Sequence, residues 1–220
     1  MTTVGTLAPA KDIRTYLRNQ LNSALRRPGS YGGEVAIRLL LDHLLFVERR
    51  QGVWAEEKRT LERRGAWTPT GVQGAFHGLL PGEHGHDMAS VYAEFSRRQG
   101  WLQTDRVLDA AEYASLRSSV GRWAAGDRVW SEVLAEFGAP SVLFGGGNPY
   151  YGKTLGYVGT APGEPMVFFH LWNGADPGVE PSWPPARDEP VLLAIRCGDG
   201  PFASTFTFTP QGRQRREVSS

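Results

Sequence analysis

The sequence predicts an α+β protein: a helical part over residues 1–138, followed by a roughly five-stranded antiparallel sheet packed against it over residues 139–210. Three observations carry this reading. Up to residue 137 apolar residues recur at helical spacing. Beyond Pro140 they fall in short runs rich in β-branched and aromatic residues, each bounded by glycine and proline. No helix-length segment separates those runs, so the crossovers of a parallel sheet have no room. The texture changes at Pro140 without a linker, and residues 1–220 are read as a single domain ending in a fraying tail, 211–220.

The first helix is expected over residues 11–27, where Ile13, Leu17, Leu21 and Leu25 form one stripe. Pro28-Gly29 stops it, and Arg27 to Gly33 reads as a helix stop followed by a new start. The second, 33–50, carries a charged stripe of Glu34, Arg38 and Asp42, with Val35, Leu39, Leu40, Leu44 and Val47 assigned to its buried side. A third, 53–64, is charged and expected to be exposed, and a short helix is expected over 71–80. Met88, Val91, Tyr92 and Phe95 mark a helix over 87–99, and two more are expected near 108–124 and 127–137. Strands are expected at 141–144, 154–158, 166–172, 191–197 and 204–209. In the last, Phe206 and Phe208 alternate with Thr205, Thr207 and Thr209, so one face packs and the other meets water. Residues 174–189 hold four prolines without periodicity and read as the longest irregular loop.

Charge excludes little but argues against two partners. The formal net charge is +1, and the basic excess of residues 1–64, twelve against seven acids, alternates with acids on helix faces. Arg213, Arg215 and Arg216 lack interleaved aromatics, so nucleic acid is not expected as a partner. No apolar run reaches the roughly 18 residues that span a bilayer, and residues 1–10 lack the pattern of a secretory signal; a cytoplasmic location without membrane contact is the expectation. Arginine far outnumbers lysine, as in a bacterium with a GC-rich genome. One cysteine, Cys197, excludes an internal disulfide and a cysteine-rich metal site, and it reads as a buried inert thiol.

Two stretches carry residues with chemistry. Gly145 to Thr154 combines a glycine run, which lets backbone approach a ligand closely, with Asn148, the flat faces of Tyr150 and Tyr151, and Lys153. Its Gly152-Lys153-Thr154 is shared with phosphate-binding loops, but those lead into a helix and this one leads into a strand. In the strand 166–172, alternation places Phe168, His170 and Trp172 on one face, where His170 could serve as a general base beside the tyrosine loop. His84-Gly85-His86-Asp87 holds good metal ligands, but no second cluster supports it, and it reads as a helix start with adjacent surface histidines. No metal and no cofactor are expected, and no Gly-x-Ser-x-Gly elbow supports a serine hydrolase.

The candidate binding residues are therefore Asn148, Tyr150, Tyr151, Lys153, His170 and Trp172. The first functional expectation is a non-catalytic protein-interaction module, an adaptor, immunity-type inhibitor or assembly subunit, whose partner is another protein. Seven tryptophans and seven tyrosines favour it. The alternative is a small hydrolase or transferase in which Lys153 holds an anionic group and His170 moves a proton in one shared groove.

Overall fold

The computed structural model describes residues 9–218 apart from 176, 177, 181 and 186. Six helices precede the sheet: α1 (Ala10–Arg26), α2 (Gly33–Val47), α3 (Gly52–Arg64), α4 (Gly85–Arg98), α5 (Ala110–Ala124) and α6 (Trp130–Phe137). The strands are β1 (Val142–Phe144), β2 (Lys153–Tyr157), β3 (Val167–Trp172), β4 (Val191–Cys197) and β5 (Phe206–Phe208), and α7 (Pro210–Val218) closes the described chain. The five strands lie in chain order in one antiparallel sheet, so the protein is α+β.

The sheet is buried on both faces, which is why its strands are apolar almost throughout. Phe144, Phe168, Ala194, Phe206 and Phe208 face the core shared with α1, α2 and α4. Leu155, Tyr157, Val167, Phe169 and Leu171 face a second core with α5 and α6. The alternation of β3 expected from sequence is thus present, with Phe168, His170 and Trp172 on the α4 side. A bulge at His170/Leu171 lets Leu193 and Ala194 of β4 face the same core.

Helix α4 is the central helix. Every residue from Asp87 to Ser96 is buried, because α1, α2, β1 and β2 surround it. Helix α5 opens on a capping box, in which Asp109 accepts from the Glu112 amide while Glu112 accepts from the Asp109 amide.

Three expectations need correction. The buried stripe of α2 is Ile37, Leu41, Leu44 and Leu45, whereas Val35 and Leu39 are exposed; apolar residues occupy most of this helix, so periodicity alone left its orientation ambiguous. Residues 71–80 form only a 3-10 turn, Gln73–Phe76, because glycines at 71 and 78 take positive φ. The supposed tail is ordered through Val218 as α7. Gly212 permits close packing of α7: a Cβ there would collide with the Leu193 carbonyl of β4. Arg215 then lies 4.6 Å from the Trp172 ring, and Arg213 donates to the Phe208 carbonyl.

Candidate functional site

At one end of the sheet, where β1 and β3 finish and β2 begins, the connection 145–152 faces the α1–α2 corner and the start of α4. Between them lies a groove of about 750 Å³ whose lining includes Arg27, His86, Gly146, Asn148, Tyr151 and Trp172. Gly145 and Gly146 have φ of 97° and 83°, which excludes side chains with ordinary backbone preferences. The Gly145 amide donates to the Arg26 carbonyl at 2.9 Å and so ties this wall to the end of α1. Gly152 is required for a different reason: a Cβ there would lie 2.9 Å from His86 Nε2 and 3.1 Å from the Leu171 carbonyl. The missing side chain makes room for the histidine. Arg27 is exposed at the rim, and its side chain makes no hydrogen bond or ion pair among the described residues.

Beneath the groove lies a polar cluster centred on Asp87. Its Oδ1 is 2.6 Å from His170 Nδ1, 2.8 Å from the Thr154 hydroxyl and 3.2 Å from His86 Nδ1, while His84 Nδ1 stands 3.6 Å from Oδ2. Two elements assemble it. The first turn of α4 carries His86 and Asp87, with His84 at its N-cap, and antiparallel register sets Thr154 of β2 opposite His170 of β3. Burial opposes ionisation of Asp87, but the charge interaction with His86 and the hydrogen bonds from His170, His84 and His86 outweigh it; the carboxyl is held well below the usual carboxylate range. Burial lowers His170 from the ordinary histidine value, against the pull of the Asp87 hydrogen bond.

An ionised carboxylate only accepts, and this assigns the protons. His170 Nδ1–H and the Thr154 hydroxyl donate to Asp87. His86 Nδ1–H is shared between the Thr154 oxygen, at 3.1 Å, and Asp87. Nε2 of His86 then carries the lone pair, takes no hydrogen bond among the described residues, and belongs to a ring that lines the groove. A histidine held at Nδ1 by an acid and open at Nε2 is arranged to accept or deliver a proton.

The shared groove expected for Lys153 and His170 does not exist. Their strands pair Lys153 with Leu171 and Thr154 with His170, so the two side chains leave the sheet on opposite faces. Sequence alternation places residues within a strand, but register between strands decides which meet. His170 is 1% exposed and cannot reach a ligand itself; the proton-transfer position falls to His86. Lys153 is buried on the α6 side, where Nζ donates to the Asn148 carbonyl at 2.8 Å and sits 3.6 Å from the Trp130 ring centre. Asn148, Tyr151 and Trp172 do line the groove. Tyr150 packs its ring against Trp183, and Tyr151, 52% exposed, stacks on the same indole.

Residues Gly147 to Thr154 carry the full Gly-x4-Gly-Lys-Thr spacing of a phosphate loop. The geometry is different. Lys153 and Thr154 begin a strand, the amides of Tyr150 and Tyr151 are bonded to Asn148, and the ammonium is taken up by the Asn148 carbonyl. Among the described residues no group of three or more His, Cys, Asp or Glu side chains is arranged to hold a metal ion. None of their helices is long and apolar enough to cross a membrane. No family model, curated protein or solved structure matches the chain.

Sequence reading missed His86, Asp87 and Thr154 as a unit. His84 to Asp87 was legible as ligand chemistry, but its partner His170 lies 83 residues beyond Asp87, and only the packing of α4 on β2 and β3 joins them.

Proposed function

We propose that the protein is a small enzyme that binds a polar ligand in the groove and moves a proton through His86. The observation that carries this reading is the His86 ring, which lines the groove, is fixed at Nδ1 by Thr154 and Asp87, and has no hydrogen bond at Nε2 among the described residues. Asp87 orients the imidazole and stabilises its protonated form, and His170 and Thr154 hold Asp87 in turn. Asn148, Tyr151, Trp172 and the glycine backbone supply the binding surface, with Arg27 at its rim.

The test uses a panel of amides, esters, phosphates, sugars and dipeptides, with binding read from the histidine ring signals of the protein and turnover measured for each binder. In His86→Asn, turnover should fall about 100-fold or more while binding changes little. Turnover equal to that of the wild type would remove His86 from the reaction.

The interaction-module reading keeps one observation of its own, the exposed stack of Tyr151 on Trp183, the latter 65% exposed. It takes precedence if the panel yields no ligand and a purified partner protein binds with an affinity that falls in Tyr151→Ala and Trp183→Ala. A cytoplasmic location and bacterial origin accord with either reading and stay proposals.

A further inference from the structure

Lys153 is unusual for its position. Its neighbours on that face of the sheet, Leu155 and Leu171, are core residues, and an apolar side chain would suit the second core better than an ammonium. Burial lowers its pKa to about 8, with no carboxylate to oppose the shift. The charge therefore works against the fold, and its polar contact is the Asn148 carbonyl, reached from beside the Trp130 ring. That carbonyl also accepts from the Tyr151 amide at 3.3 Å. One residue on, the Pro149 carbonyl accepts from Asn173 Nδ2 at 3.2 Å. Two side chains thus grip successive carbonyls of the connection whose Gly146, Gly147, Asn148 and Tyr151 wall the groove.

We propose that Lys153 is a positioning residue: from the opposite face of the sheet, its ammonium clamps the Asn148 carbonyl and holds the glycine wall in its binding shape. The significance of the clamp rests on the groove being a ligand site. The clamp itself is a separate physical claim, and ring and carbonyl share its load, since a cation over an indole is attracted to the ring face.

Backbone hydrogen exchange at Gly145, Tyr150 and Tyr151, whose amides are bonded to Arg26 and Asn148, tests it in the full chain. In Lys153→Met these amides should exchange about tenfold faster, the loss expected for one charge-assisted hydrogen bond, while amides of β3 and β4 keep their rates. Lys153→Arg, which restores a cation and donors, should recover most of the protection. Trp130→Leu, which removes the ring and keeps the lysine, should give a smaller rise at the same amides. Exchange unchanged in Lys153→Met, or a rise spread evenly over the sheet, would overturn the clamp. Failure of the groove reading shows elsewhere: His86→Asn would leave turnover intact while the loop still responded to Lys153→Met.

Discussion

Two buried ionisable groups flank neighbouring positions of β2, and the fold treats them in opposite ways. On the α4 face, Asp87 receives His170, Thr154 and His86 within 3.2 Å, so its charge is fully answered by donors. On the α6 face, Lys153 meets one carbonyl and one ring. The carboxyl is accordingly held in its charged form and the ammonium is pushed toward its neutral one. The difference separates a network that supports the fold from a charge kept in spite of it. Asp87 is bound into the packing of helix on sheet, whereas Lys153 serves a loop.

Substitution exposes that contrast most strongly. Asp87→Ala leaves the His170 and Thr154 donors buried and unpaired, and should lower the unfolding free energy by about 3–5 kcal/mol. Lys153→Met should leave it unchanged or raise it by about 1 kcal/mol, because a buried charge answered by one carbonyl and one ring, without a counter-charge, is exchanged for an apolar side chain of similar length. Urea unfolding at pH 7 measures both. Equal losses from the two variants would break the distinction.

The pH dependence of stability sharpens it with smaller effects. His170 has a folded pKa below its ordinary 6.5, so the unfolded chain takes up its proton first and stability falls as pH drops through that value. Asp87 has a folded pKa below its ordinary 3.8, and its contribution, complete above that pH, is lost as pH falls further. Lys153 acts at the other end. Between about 8 and 10.5 the unfolded chain holds the proton that the folded chain has released, so this residue makes stability rise with pH. Unfolding of the wild type and of Lys153→Met, compared at intervals from pH 7 to 10, should show the variant's advantage shrinking across that window. An advantage that grows with pH would contradict the assignment.

The fold was legible where local pattern decides it. Glycine and proline punctuation marked the five strands, and the Met88–Phe95 spacing marked α4, because period and turn chemistry are written in consecutive residues. The site was legible only in part. The glycine wall and Tyr151 stood out because unusual composition is visible locally, and Trp172 because alternation within one strand is. The coupling of His170 to Asp87, and its separation from Lys153, depend on inter-strand register and on which face α4 covers, and neither is encoded in the spacing of single strands. Gly212 shows the same limit: its role is defined by the Leu193 carbonyl it approaches.

The central claim is that His86, whose ring lines the groove, is held as the Nδ1–H tautomer with no hydrogen bond at Nε2 among the described residues, and histidine ring ¹⁵N spectra test it directly. The account predicts a ring at residue 86 with protonated Nδ1 and unprotonated Nε2 when neutral, and loss of that preference in Asp87→Asn. A neutral His86 carrying its proton on Nε2 in the wild type would contradict it.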